Sequence, residues 1–235
     1  MTQALAGKAL QMTQKALLFG SIGTLVETSE LQRLAFNEAF AEAGLNWEWD
    51  VESYREMLTQ SGGKRRIADY AAARGETVNA AASHRRKTEL FDAIIETHGL
   101  QTRPGVLETI AAAKDQGFKL GFATSTSAEN VAAIFRAVGM SLQRSDFDFV
   151  GDASMVDQPK PHPEIYELAL RETGASADQS VAIEDTAVSM QAAKAAGIRG
   201  VAFPGAYADP SAFDSDVPRL QQLSPKLLSP AASEA

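Results

Sequence analysis

A chain of 235 residues with 45% hydrophobic side chains holds enough apolar mass for one large domain, or for one domain carrying a sizeable insertion. Its 30 acidic and 22 basic residues leave a formal charge of −8, which argues against nucleic acid, because phosphate backbones demand clustered positive charge. The lack of cysteine excludes disulfides, thiol catalysis and cysteine-ligated metal, and the three histidines (His84, His98 and His162) show no metal-ligand spacing.

In chain order, residues 1–13 read as a tail, and MTQALAGKALQMTQ lacks the layout of a signal peptide. No apolar run approaches the roughly 20 residues that cross a bilayer, so the expectation is a cytoplasmic protein without a membrane partner. Lys15 to Phe19 predicts a short buried strand. From Thr28 the pattern is helical, with Leu31, Leu34, Ala35, Glu38 and Ala39 on one face and Phe36, Phe40 and Ala43 beside it; Gly44 stops it. Residues 51–99 continue as helical, polar-rich material, in which HRRK at 84–87 reads as a solvated face and Trp47 and Trp49, just before it, as packing residues.

At TRPGV, 102–106, the pattern changes to alternation. Strands are predicted at 118–123, 147–150, 180–183 and 200–203, and helices at 128–138, 163–172 and 187–196, with 225–235 as a second tail. Such alternation predicts a doubly wound α/β core with a parallel, Rossmann-like sheet. The helical block after the first strand reads as an inserted cap, giving a core of 14–26 and 101–224 and a cap of 27–100. Ligands of such sheets sit outside the carboxyl ends of the strands.

Four strand ends meet there. FGSIGTL places Gly20 and Ile22 on one face and turns Ser21 to the packing side. GFATSTSAENV offers Thr124, Ser125 and Ser127, as an oxyanion cradle or as a plain helix cap. QPKPHPEIY holds Lys160 between prolines, as a fixed ammonium or a solvated loop lysine. SVAIEDT ends in Glu184 and Asp185, a carboxylate pair able to hold a hard divalent ion, with Asp185 alternatively capping the next helix.

Together these stretches resemble the haloacid dehalogenase superfamily of phosphotransferases: its FDxDGTLxxT pattern stands here as FGSIGTLVET, followed by Thr124, Lys160 in a KPxP-type run, and the acidic pair Glu184 and Asp185. The chain is most similar to the CbbY-like branch, whose known members are xylulose-bisphosphate phosphatases, through ETSELQRLAFNEAFAEAGLNWEWD, SGGKRRIADY and ATSTSAENV. The resemblance implies a fold of core plus cap and catalytic roles for Thr124 and Lys160. It implies substrate contacts from Glu27, Gly63, Lys64, Arg65 and Ser125, with Lys64 and Arg65 gripping a distal phosphate. It also implies Mg²⁺ held by the Ile22 carbonyl, Asp185 and, through water, Glu184.

The same resemblance assigns position 20 to the aspartate nucleophile and position 22 to the aspartate acid–base, and here they are Gly20 and Ile22. The expectation is a protein that binds a phosphorylated sugar or phosphate with little or no phosphatase activity and with Mg²⁺ binding weak or lost. Two alternatives stand beside it. One is an active phosphatase of xylulose-bisphosphate or phosphoglycolate type working by a non-standard route; the other is a protein-interaction or regulatory module on the same scaffold.

Overall fold

A computed structural model describes residues 14–58 and 62–229. Its elements in chain order are β1 (Gln14–Phe19), α1 (Ile22–Leu25), α2 (Ser29–Glu42), α3 (Val51–Met57), α4 (Gly63–Ala73), α5 (Ala80–His98), α6 (Val106–Asp115), β2 (Lys119–Ala123), α7 (Ala128–Val138), β3 (Phe149–Gly151), α8 (Glu164–Thr173), β4 (Ala175–Glu184), α9 (Ala187–Ala195) and β5 (Arg199–Ala202). The five strands form one parallel sheet in the order β3-β2-β1-β4-β5. Chain order reverses between β1 and β4, and that switch point opens a crevice at the carboxyl ends of the strands.

The alternation of strand side chains assigns the two faces. Leu17 and Phe19 of β1 pack with Val106 and Ile110 of α6 and Ile134 of α7. Ala16 and Leu18 point the other way, onto Ile165, Tyr166 and Ala169 of α8 and Ala192 of α9. Helices thus cover both faces, as near-continuous apolar strands require. The register pairs Phe19 with Ile183, so Gly20 and Glu184 leave the sheet side by side toward α8.

Helices α2 to α5 stand between β1 and β2 and add no strand to the sheet. Their aromatic centre joins Phe36, Phe40, Trp47, Trp49 and Tyr54, with ring centroids 4.8 Å apart for Phe36–Trp49 and 4.7 Å for Phe40–Trp49. This centre rotates α2 relative to the expected face: Phe36 and Phe40 turn inward with Ala35 and Ala39, and Leu34 is 44% exposed. Two aromatic rings one helical turn apart bury more apolar area than a leucine, so they set the inward direction. The two tryptophans are packing residues, as expected.

Three further readings are corrected. Helix α6, unassigned in the sequence, packs its Val106, Ile110 and Ala113 on the sheet. Residues 225–229 are not a tail: Pro225–Leu228 forms a 3-10 turn that buries Leu227 and Leu228 beside α6. The HRRK stretch is not a uniformly solvated face, because Lys87 is buried and His84 partly so. The expected tails at 1–13 and 230–235 lie outside the described residues. Among the described residues no helix is long and apolar enough to cross a membrane.

Leu228→Ala is expected to lower the unfolding free energy by about 2–5 kcal/mol; urea denaturation measures it, and a loss below about 0.5 kcal/mol contradicts the packed assignment of this turn.

Candidate active site

The carboxyl ends of β1 and β4 carry a closed hydrogen-bond network. Lys160, in the loop before α8, donates from Nζ to the Gly20 carbonyl and to Glu184 Oε1, each at 2.5 Å. Tyr166 of α8 donates its hydroxyl to the same Glu184 oxygen at 2.5 Å, and the Lys160 ammonium lies 4.6 Å from the Tyr166 ring centroid. Glu184 and Tyr166 are fully buried, and the Lys160 side chain is 5% exposed. Burial pushes the Glu184 carboxyl up, against the opposing charge of Lys160, and pushes the Tyr166 hydroxyl well above the ordinary tyrosine range.

Position 20 is what lets this network form. A Cβ on Gly20 would collide with Glu184 Oε1 and with the Tyr166 hydroxyl. The room a side chain would occupy there is taken by a carboxylate from the neighbouring strand. Glu184 Oε2 is buried and without a hydrogen-bond partner.

Ser21 departs from its expected direction. Its hydroxyl donates to Asp185 Oδ1 at 2.7 Å, so it lies at the strand ends, partly exposed, and not in the sheet's packing. The strand stops at Phe19, and the chain turns into α1 at Ile22, so Ser21 is the cap residue of a helix and no longer a strand position inside the core. Burial also pushes the Asp185 carboxyl up, with the Ser21 hydrogen bond opposing. Asp185 does not cap α9; the Thr186 hydroxyl does, accepting from the Ser189 N–H at 3.3 Å.

The oxygens that the expected metal site would use are largely occupied. The Ile22 carbonyl accepts from the Val26 N–H at 2.9 Å, the Gly20 carbonyl from Lys160, and Asp185 Oδ1 from Ser21. Among the described residues no group of three or more His, Cys, Asp or Glu side chains stands ready to hold a metal. Thr124 is buried at the end of β2, where its hydroxyl accepts from the Thr126 N–H at 3.2 Å, and the Ser125 hydroxyl accepts from the Lys160 N–H at 3.4 Å. Arg103 is spent on backbone: it donates to the carbonyls of Gly23 and Phe203 at 2.7 Å and of Pro204 at 2.6 Å.

A second feature lies among α2 to α5: a cavity of about 310 Å³ whose walls include Gln32, Phe36, Tyr54, Gly63, Arg66, His84, Lys87 and Asn130. Lys87 donates to Gln32 Oε1 and sits 4.9 Å and 5.0 Å from the ring centroids of Phe36 and Phe91. Among the ion pairs of the described residues, neither Lys87 nor His84 meets a carboxylate. Desolvation, with the charge of Arg66 adding and that of Asp92 opposing, pushes Lys87 down to about 8. Burial lowers His84 as well, helped by Lys87, Arg66 and Lys64. A buried ammonium such as Lys87, next to the charge of Arg66 and in no ion pair among the described residues, is the arrangement an anion relieves.

The residues expected to contact a ligand lie differently with respect to this cavity. Gly63 lines it, and a Cβ there would meet His84 Nε2 at 2.6 Å and Phe36 at 3.0 Å. Lys64 and Arg65 are exposed and do not line it; Arg65 pairs with Asp69 at 3.3 Å, and Arg66 of the same run faces the void. Glu27 is not among the lining residues either: its two oxygens accept from the N–H groups of Ser29 at 2.8 Å and Ala206 at 2.7 Å. His84, Lys87 and Asn130 carried no expectation as site residues. The i, i+3 spacing of His84 and Lys87 on one helix, beside Gly63 and Arg66, is the signal that marks them.

With this geometry in place, comparison with known proteins is decisive for the family. A family model described as haloacid dehalogenase-like hydrolase matches residues 14–197. The chain belongs to this family. Within it the chain is CbbY-like. CbbY of Cereibacter sphaeroides is 45% identical over 196 residues, which cover 82% of this chain and 85% of that protein. The CBBY-like protein of Arabidopsis thaliana is 33% identical over 224 residues, covering 89% and 69%. Among solved structures, CbbY from Rhodobacter sphaeroides in complex with phosphate matches with a TM-score of 0.77 at 42% identity, covering 89% of this chain and 95% of that one. An Asp-to-Asn mutant of that protein in complex with xylulose-(1,5)bisphosphate matches with a TM-score of 0.76.

Lys87 yields a pH signature for this haloacid dehalogenase-like chain. Between about pH 8 and the usual lysine value, the unfolded chain holds a proton that the folded chain has lost, so stability rises with pH through that window. Anion binding runs the opposite way, because it needs the charged ammonium. Phosphate or sugar-phosphate affinity is therefore expected to fall above about pH 8, and calorimetric titration with Lys87→Met, which should flatten that step, checks it.

Proposed function

We propose that this chain binds a phosphorylated sugar, or phosphate itself, and hydrolyses it slowly or not at all by the aspartyl route of its family. The carrying observation is the filled space beside Gly20, where Glu184 and Tyr166 stand in place of a nucleophile's side chain. Glu184 does not take over the role: its carboxylate is fully buried, bonded to Lys160 and Tyr166, and lies where a Cβ would be, short of where an aspartate's oxygens would reach. Loss of the nucleophile in a covalent enzyme costs on the order of 10⁶-fold in rate.

The oxygens at the strand ends do not fit Mg²⁺ well. One partly buried carboxylate, Asp185, with its Oδ1 already accepting from Ser21, is a poor substitute for the carboxylates and carbonyls such an ion draws on. Mg²⁺ binding is accordingly weak or lost. The likeness to CbbY, whose solved structures hold phosphate and xylulose-(1,5)bisphosphate, supports a phosphorylated sugar as the ligand. Arg66, Lys87 and His84 take its phosphate, Gln32 and Asn130 offer hydrogen bonds to hydroxyls, and Glu27 holds the loop at Ala206.

A second reading rests on Ser21 and Asp185. A hydroxyl 2.7 Å from a carboxylate is the geometry of an oxygen nucleophile beside its base, and both groups reach solvent in part. A phosphatase of non-standard route would run through this pair.

One assay separates the readings. Purified chain is expected to release no phosphate from xylulose 1,5-bisphosphate above background, while the same sugar raises Tm, by about 2.7 kcal/mol of stability at 100 times Kd. Turnover abolished by Ser21→Ala or Asp185→Ala establishes the second reading; no Tm shift with any sugar phosphate or phosphate, with or without Mg²⁺, overturns the first. Gly20→Asp with Ile22→Asp is expected to recover phosphatase activity only where Glu184 and Tyr166 yield their place, so Glu184→Ala added to that pair should raise the recovered rate.

A further inference from the structure

Resting on the binding function proposed above, we infer that the ligand of this chain is a sugar carrying a single phosphate, seated in the α2–α5 cavity, and that the strand ends hold no second one. The inference comes from where the cations stand and what already occupies them. A bisphosphate presents two dianionic groups and gains most from a desolvated cation, not already neutralised by a carboxylate, at each end. The cavity supplies one: Lys87, buried over Phe36 and Phe91 and in no ion pair among the described residues, with Arg66 and the imidazole of His84 on the same walls.

The strand ends do not supply the other. Their cations are Lys160 and Arg103, and their carboxylates are Glu184 and Asp185, so the local charge is balanced. The Lys160 ammonium is enclosed by the Gly20 carbonyl, Glu184 and the Tyr166 ring, with 5% of its side chain exposed. Arg103 gives its guanidinium hydrogen bonds to three backbone carbonyls and stacks on Phe203, 3.4 Å from the ring centroid. Glu184 thus acts as an internal anion that already neutralises Lys160. An incoming phosphate would have to break that ion pair and then face Asp185.

Polar hydrogen bonds remain at the strand ends, but not charge. The Thr124 hydroxyl already serves the Thr126 N–H, and Asn130, on the cavity wall, donates to Thr126 Oγ1 at 3.1 Å. This side of the cavity is built to meet hydroxyl groups. The second phosphate of a bisphosphate therefore gains no charge-assisted partner, and such a partner is worth roughly tenfold or more in affinity.

The test is calorimetric titration of the full chain at pH 7 with xylulose 5-phosphate and xylulose 1,5-bisphosphate, with and without Mg²⁺. The two sugars are expected to bind within about threefold of each other, with Lys87→Met weakening both by about tenfold or more. Glu184→Gln, which keeps the shape but removes the internal anion, is expected to create a preference for the bisphosphate. Bisphosphate binding about tenfold or more tighter than monophosphate in the unmodified chain overturns the inference and leaves the binding function standing. Absence of binding by both sugars and by inorganic phosphate overturns the binding function itself, and the inference with it.

Discussion

The arrangement at the strand ends depends on one buried ion pair, Lys160 with Glu184, closed by the Tyr166 hydroxyl and the Gly20 carbonyl. Burying two charges is costly, and hydrogen bonds from Lys160 and Tyr166 to Glu184 Oε1 offset part of that cost, while Oε2 stays without a partner. The placement of the Glu184 carboxylate depends on a glycine. A side chain at position 20 would require the Glu184 carboxylate and the Tyr166 hydroxyl to shift from their present places beside Lys160. The absence of a Cβ at one residue thus sets the position of three others on two different elements. That coupling arises because β1 and β4 are neighbours in register, so Gly20 and Glu184 leave the sheet on the same side.

This network changes what the two carboxylates can do. Adjacent strand residues point to opposite faces, so Glu184 turns toward α8 and Asp185 toward the α1 turn. They share a sequence but not an environment: Glu184 is sealed with a cation, whereas Asp185 reaches solvent in part and holds a serine hydroxyl. Read as a pair, they look like one metal site. In space they are two separate groups, and the protein's own donors satisfy much of the acceptor capacity that a divalent ion would use.

The sheet and its flanking helices were legible because apolar runs such as KALLF and SVAI, separated by helical periodicity, leave few alternatives. Family membership was legible from Thr124, Lys160, Glu184 and Asp185 in order. The side chains that line the cavity were not. His84 and Lys87 stand in a run of four basic and imidazole groups, and charge alone marks such a run as solvated; only the packing of α5 on α2 and α4 turns Lys87 inward over Phe36 and Phe91. Arg66 rather than Lys64 or Arg65 faces the void for a similar reason: Ile67 and Ala71 fix the rotation of α4, and the remaining positions follow from the helical period. Ser21 was misdirected because strand alternation was extended one residue past the point where the strand ends.

The two charged regions also differ in what each still lacks. At the strand ends, cation and anion already meet, and an added anion must compete with Glu184. In the cavity, Lys87 and His84 are in no ion pair among the described residues, and burial, with the charge of Arg66 adding, lowers the readiness of both to hold a proton. A folded chain tolerates such a cluster at a cost in its own stability, and that cost is relieved when an anion enters. In this fold the buried cation without an ion pair thus lies in the space among the helices, and the paired one lies in the crevice of the sheet. On the proposed function, ligand affinity follows from that arrangement and not from the number of family motif positions that remain filled.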